Sequence, residues 1–326
     1  MSLPQFFFNT TAEEVADALA NEIKGKNVLV TGTSLNGIGF ETAKAIAKYA
    51  NLVVITGYNE ERLKSTEDAL KRDLPSANIR RLILDLSSLA AVRKAAAEVN
   101  KYSEPIHVLI HNAAAAAGSF KLTVDNLESQ MATDHIGPFL FTKLIAPKLL
   151  SSATATANYT PRVVWVSSGA HAMMGSGVNF ATIGKPDEAG YQGLEAYSQA
   201  KSANVLMGIE IGRRSAGRVK GYSLHPGIIY TNMNQKEEVM GELKAIGVLR
   251  ADGTPNTDNI QWKTLAQGAA TTVTAAFNPR LNDVPGAYLD DCNVANDKIA
   301  AHSSDTGNAK KLWDVTEEII GEKFAF

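Results

Sequence analysis

Cysteine is nearly absent: Cys292 is the one instance in 326 residues. That leaves no intrachain disulfide and no multi-cysteine metal site, and it fits a reducing compartment. Long hydrophobic runs are missing too. Nothing approaches 18 consecutive apolar residues, so no membrane span is expected. The first residues, MSLPQFFFNTTAEEV, hold three phenylalanines but no basic stretch ahead of an apolar one, and do not read as a signal peptide. Neither sign of charge dominates: 32 Lys and Arg face 34 Asp and Glu, a formal net charge of −2. Without a basic stripe to neutralise phosphates, nucleic acid is not an expected partner. Low-complexity tracts and internal repeats are also lacking. Together these absences lead us to expect a soluble, cytoplasmic protein.

What is present is ordinary globular material, 45% hydrophobic and 20% charged, enough to bury a sizeable core. Short apolar runs at 27–31, 52–56, 79–85, 107–111, 162–167, 219–224 and 286–289 read as strands. Helical patterns fall between them, at 37–49, 60–71, 88–100, 126–150, 195–214 and 262–277, with Ser87 or Ser88 as a cap and Pro138 as a kink. Strands apolar throughout and separated by helices imply a parallel sheet covered on both faces. The expectation is a single doubly wound α/β domain over nearly the whole chain. Two stretches break the rhythm, a Gly-rich one at about 175–193 and an insertion at 232–261. Ligands of such sheets sit at the carboxyl ends of the strands, so insertions there are natural substrate walls.

The first strand runs into TGTSLNGIGF, with Gly32, Gly37 and Gly39 between strand and helix. Glycines let the backbone approach a pyrophosphate, and a helix N-terminus presents free N–H groups to it. Later, AYSQAKSAN places Tyr197 four residues before Lys201, on one helix face. Such a pair can simply cover a surface, and a Gly-rich turn can be only a turn.

In order along the chain, these and four further segments resemble the short-chain dehydrogenase/reductase family, closest to its retinol-dehydrogenase-like and fungal carbonyl-reductase-like branches. TGTSLNGIG is similar to the family's TGxxxGxG loop with one extra residue. Asp85-Leu86 matches the pair that contacts adenine. HNAA resembles NNAG, with Asn112 kept and His111 and Ala114 departing. VSSGAH resembles VSSxAH, YSQAK the YxxxK motif, and HPGIIYT the HPGxxxT segment.

The resemblance implies a Rossmann fold and hydride transfer between a nicotinamide cofactor and a small carbonyl or alcohol substrate of apolar character. By the same resemblance Tyr197 is the acid/base, Ser168 bonds the substrate oxygen, and Lys201 assists Tyr197 and holds the nicotinamide ribose. Asp134, in TDHIGPF, occupies the place of the family's catalytic Asn; unlike Asn, an ionised carboxylate cannot donate a hydrogen bond. Cofactor contacts are expected from Gly32, Thr33, Ser34, Asn36, Gly37, Ile38, Gly39, Gly57, Tyr58, Asp85, Leu86, Asn112, Ala113, Ala114, Tyr197, Lys201, Pro226, Gly227, Ile229 and Thr231.

A free tyrosine ionises near pH 10, so service as a base near neutrality costs about 4 kcal/mol. A cation about 4 Å away supplies on the order of 4 kcal/mol at an effective dielectric near 20, so the lysine suffices in magnitude. At the end of the second strand, where an NAD site carries a carboxylate, the chain has Gly57 followed by Tyr58. Arg62 and Lys64 are nearby cations for a 2′-phosphate, and NADP is expected over NAD.

Other readings stay open. A catalytically weak dinucleotide-binding or sensor protein would explain the long loop, Ala114 and Asp134, and an epimerase or dehydratase is a remote third. His107 and His111 lie four apart in a strand with no further ligands, so no metal is expected. Ser168 and His171 lack the elbow motif of a hydrolase. Met173, Met174, Phe180, Tyr191, Met233 and Met240 are either local packing or the wall of an apolar pocket. A homo-oligomer is compatible with the chain.

Overall fold

Six short runs form the body of one sheet. Its inner strands are mostly apolar because residues buried on both faces need neither polar alternation nor contact with water, whereas the edge strand IRRLI keeps two partly exposed arginines. The six runs are β1 (Asn27–Val30), β2 (Leu52–Gly57), β3 (Ile79–Ile83), β4 (Val108–His111), β5 (Arg162–Val166) and β6 (Lys220–His225); β1, β4 and β5 are buried along their whole length. The computed structural model describes residues 3–115, 118–156, 159–173 and 177–326. With β7 (Tyr288–Asp290) and β8 (Asn293–Val294), the strand order is β3-β2-β1-β4-β5-β6-β7-β8. Every pairing is parallel except β7 with β8. The chain reverses direction across the sheet between β1 and β4, and the carboxyl ends there form the crevice in which such folds bind ligands.

Helices cover both faces. Leu89–Val99, Gly137–Ala155, Gly193–Arg214 and Thr306–Ile320 build one apolar layer, and Ala12–Ala18, Ile38–Ala47, Glu60–Asp73 and Leu265–Phe277 the other. The fold is a doubly wound α/β, Rossmann-like domain, as the alternation of elements implies.

The structure corrects the expected elements at three places. The single helix expected at 126–150 is Ser129–Met131, a wide π turn Ala132–Ile136, and then Gly137–Ala155. Pro138 has no N–H to give the Asp134 carbonyl, and the Gly137 N–H reaches the Ala132 carbonyl instead. The expected last strand, 286–289, is shifted to Tyr288–Asp290 and followed by the antiparallel β8. Asp291 and Cys292 between them have φ of 48° and 64°, as a two-residue hairpin loop requires. Helix Leu265–Phe277 starts later than expected because the Thr264 side chain caps it, accepting from Gln267 N.

Helices also form beyond the expected ones. Thr11 and Glu14 make a capping box on Ala12–Ala18. Thr306–Ile320 runs from an Asp305 cap to Gly321 at φ 72°. Its Trp313 stacks on Phe324 at 4.8 Å and meets Phe139 edge-on at 4.8 Å, which fastens the end of the chain to helix Gly137–Ala155.

Candidate active site

At the end of β1 the chain must turn sharply and let a helix start beside the sheet. Gly32 does this at φ 69° and Asn36 at φ 59°. A Cβ on Gly32 would lie 2.7 Å from Ala113 Cα, and one on Gly39 would lie 2.3 Å from the Gly32 carbonyl oxygen. Asn112 closes the turn from β4, its side-chain amide donating to the carbonyls of Thr31 and Gly32 at 2.9 Å each. Gly37 caps helix Ile38–Ala47 without a side-chain bond, so no side-chain acceptor takes up the first-turn N–H groups.

The result is a cleft of about 480 Å³, within the range of small-molecule sites. Its lining includes Gly32, Ser34, Asn36, Gly37, Ile38 and Gly39 from the loop, and Gly57, Tyr58, Asp85, Leu86, Asn112, Ala113, Ala114 and Thr231 from four other strand ends. The glycine cradle and the helix start fit a pyrophosphate. Tyr58 stands 67% exposed at the rim, where a flat adenine can be covered. Asp85 is partly engaged, accepting from Ser87 N at 2.9 Å and Ser87 Oγ at 2.6 Å. No carboxylate stands at Gly57. A small hollow beside the cleft shares Ser34, Thr56, Gly57 and Tyr58 with it and is walled by Arg62. Lys64 points to a different use, pairing with Asp68 at 2.5 Å.

Expected contacts outside this lining are Thr33, Tyr197, Lys201, Pro226, Gly227 and Ile229. Thr33 is buried, with its hydroxyl donating to the Thr56 carbonyl at 3.1 Å. Ile229 packs where a Cβ on Gly268 would otherwise lie. Gly227, at φ 95°, lies against the Lys263 side chain.

The second half of the site is carried by β5 and helix Gly193–Arg214. Ser167 Oγ donates to the Lys201 carbonyl at 2.7 Å, and Asn204 Nδ2 to the Val166 carbonyl at 3.2 Å, which stitches strand end to helix. Tyr197 is half-buried, and Lys201 Nζ lies 5.3 Å from its ring centre. Lys201 is almost fully buried and pairs with Asp134 at 2.9 Å; it also donates to the Val166 carbonyl at 3.4 Å. The Ala115 N–H donates to the other oxygen of Asp134 at 2.6 Å. Burial outweighs the opposing Lys201 and Ala115 amide and leaves the Asp134 carboxyl above its usual value. Burial pulls Lys201 down, but Asp134 and Tyr197 outweigh it and leave the ammonium above its usual value. We read the pair as an ammonium with its counterion, because one carboxyl oxygen faces the Lys201 ammonium and the other accepts from the Ala115 N–H.

Ser168 follows β5. Its Oγ accepts from Ala170 N at 3.2 Å, leaving the hydroxyl hydrogen for another acceptor. His171 Nδ1 meets the Ser168 carbonyl at 2.7 Å rather than its hydroxyl, so His171 is not placed as a base for Ser168. His107 and His111 serve packing: His107 Nδ1 accepts from Asn27 N, and the His111 ring lies 4.4 Å from that of Trp165. Burial pushes them down to about 4 and about 3.

The insertion at 232–261, expected as a substrate wall, reaches the cleft that holds the glycine loop. Its first residues, Asn232, Met233 and Lys236, line the 480 Å³ cleft, and Asn232 Nδ2 donates to the Leu35 carbonyl at 3.0 Å. Lys236 is a cleft cation that the motifs did not single out. Phe180 packs on the core beneath Lys311, and Met173 is exposed. Tyr191 bonds Glu128 and Gln130 at 2.9 Å each and lines a hollow of about 190 Å³ with Asn179, Asp187 and Glu195. Met174 lies outside the described residues.

A sequence profile described as short chain dehydrogenase matches residues 26–240. Short-chain dehydrogenase TIC 32 A, chloroplastic, from Brassica napus is 34% identical over 316 residues, 95% of this chain and 93% of that protein. Short-chain dehydrogenase/reductase prx1 of Penicillium rubens is 34% identical over 310 residues, 92% of this chain and 86% of its own. Among solved structures, an uncharacterized protein from Mycobacterium paratuberculosis is similar with a TM-score of 0.68 and 26% identity, covering 94% of this chain and 98% of that one. A 3-oxoacyl (acyl-carrier-protein) reductase from Agrobacterium tumefaciens with NADP bound shares the fold, with a TM-score of 0.61, 18% identity, and coverage of 83% and 95%.

Proposed function

The chain belongs to the short-chain dehydrogenase family of oxidoreductases, and from that premise we propose an NADP-dependent enzyme that interconverts a carbonyl and an alcohol on a small molecule. The observation that carries the reading is the buried Lys201 cation one helical turn from Tyr197, at the carboxyl edge of the sheet that holds the glycine cradle. When bound, the nicotinamide supplies or takes the hydride. Tyr197 gives the proton to the alkoxide oxygen in reduction and takes it back in oxidation, and the Lys201 charge makes the phenolate easier to form. Ser168 donates its free hydroxyl hydrogen to the same substrate oxygen. Asp134 holds Lys201 in place and tempers its charge.

For the cofactor, the absence of a carboxylate at Gly57 and the position of Arg62 favour a 2′-phosphate. Gly32, Gly37, Gly39 and the start of helix Ile38–Ala47 would hold the pyrophosphate, and Asp85 and Leu86 the adenine side.

Tyr197→Phe tests the reading. It keeps the ring but not the transferable proton, so NADPH affinity should stay near wild type while turnover on a ketone and aldehyde panel falls by roughly 10²–10⁴. Equal kcat in the variant would remove Tyr197 from the mechanism. Wild type that binds NADPH tightly yet turns over nothing on the panel, with Asp134→Asn gaining turnover, would favour a sensor. Tighter binding of NADH than NADPH would overturn the cofactor assignment.

A further inference from the structure

Two histidines of the motifs around Ser168 have no part in that chemistry: His171 of VSSGAH and His225 of HPGIIYT. Both are bonded to one peptide unit, the one joining Ser168 to Gly169. Its N–H end, on Gly169, donates to His225 Nδ1 at 3.0 Å. Its carbonyl end, on Ser168, accepts from His171 Nδ1 at 2.7 Å and from the His171 backbone N–H at 3.2 Å.

The partners fix the tautomers. An amide N–H only donates, so His225 Nδ1 is bare and its proton sits on Nε2. A carbonyl only accepts, so His171 carries its proton on Nδ1, and its Nε2 accepts from the Ala300 N–H at 3.4 Å. Two neutral rings of opposite tautomer therefore hold the two ends of one peptide. Burial keeps both neutral, pushing His225 down to about 4 against the upward pull of Asp290, while Lys263 and His171 lower it and Asp291 raises it. Burial lowers His171 as well, with the Ser168 backbone opposing and His302 assisting.

The residue before this peptide is anchored independently, Ser167 N–H donating to the Leu224 carbonyl at 2.8 Å. Beyond it the turn is held by the two rings and Ser168 Oγ together with two short backbone bonds, His171 N–H to the Ser168 carbonyl and Ala172 N–H to the Gly169 carbonyl at 3.1 Å. If the 168–169 peptide rotates, the Ala170 N–H leaves Ser168 Oγ and the hydroxyl loses the contact that sets its rotamer.

We propose that His225 and His171 are positioning residues that clamp the Ser168–Gly169 peptide and so aim the Ser168 hydroxyl at the substrate oxygen. This rests on reading Ser168 as the donor to substrate. The cost of losing the clamp is a misplaced donor, on the order of 10² in kcat with little change in cofactor affinity.

The test compares His225→Asn with His225→Gln in the full chain, each in the wild-type and the Ser168→Ala background. Asn brings an acceptor oxygen to the place of Nδ1, whereas the longer Gln carries its amide to the place of Nε2. Both are polar and of similar bulk, and urea midpoints report whether each is folded. The expectation is that His225→Asn keeps kcat within about threefold of wild type and His225→Gln loses roughly 10²-fold, with NADPH Kd unchanged in both. In the Ser168→Ala background, His225→Gln should cost less than about twofold, since the group it aims is gone. Equal kcat for the Asn and Gln variants, or the same Gln loss in both backgrounds, would overturn the clamp. Full turnover of Ser168→Ala alone would instead overturn the role of Ser168.

Discussion

Lys201 carries its counterion with it, and that single pairing decides how the site should respond to charge. Asp134 cancels much of the ammonium at 2.9 Å, so Tyr197 meets less positive charge than a lone lysine would provide. Asp134→Asn leaves the pair with a net positive charge, while Tyr197 remains an acidic partner for the lysine. In alcohol oxidation the rising limb of the pH profile should therefore move to lower pH, and a profile superimposable on wild type would remove Asp134 from the charge balance. At Gly39 sterics decide instead. A methyl group there would meet the Gly32 carbonyl at 2.3 Å and the Asn112 amide at 2.4 Å, with backbone on one side and a side chain whose amide already bonds two carbonyls on the other. Gly39→Ala should weaken NADPH binding by at least tenfold in a fluorescence titration, and unchanged affinity would show that the cradle yields. The glycines, the Tyr–Lys pair and Ser168 are legible in sequence because each is read from neighbours within ten residues. The Asp134–Lys201 contact and the Arg62 hollow follow only from the motif's fold, and the histidine clamp not at all. His225 and Gly169 are joined across two strands 56 residues apart.

At the scale of elements, largely apolar runs bounded by polar turns made the strands readable, since a strand buried on both faces admits a polar residue only where it finds a partner, as Asn27, His111 and Arg162 do. The π turn was not readable from hydrophobic spacing, which is nearly the same for an α-helix with one residue too many. Its origin is local and chemical: Pro138 without an N–H, and Gly137 pressed on the Leu86 carbonyl. A Cβ at Gly137 would lie 2.2 Å from that oxygen. Gly137→Ala should thus lower the urea midpoint by an amount worth about 1–3 kcal/mol at constant slope, whereas a wild-type midpoint would mean the helix slides away freely. The helices at the two ends had caps in plain view, Thr11 with Glu14 and Asp305 with Gly321, but lie outside the alternation of strand and helix that organises the rest.

Across the whole molecule, the insertion at 232–261 touches the cleft through Asn232, Met233 and Lys236, and polar ties at its start are few. One is the Asn232–Leu35 hydrogen bond, another the exposed Lys121–Glu238 pair at 2.9 Å, which water and salt screen. Such ties open readily, so amides of 232–245 should exchange quickly in the free protein and become protected on NADPH binding. Exchange equally slow in both states would count against a cover over the site. The far face behaves differently, because its closure depends on residues distant along the chain. Phe139 waits for Trp313 and Phe324, and the helix Gly193–Arg214 for Thr306–Ile320. At a synthesis rate of about 5–20 residues per second, the roughly 185 residues between Phe139 and Phe324 take on the order of 10–40 s to make. During that interval the last four of the eight strands are added while one flank of the helices stays wet and apolar. The newborn chain is thus most prone to stick to others just before helix Thr306–Ile320 arrives.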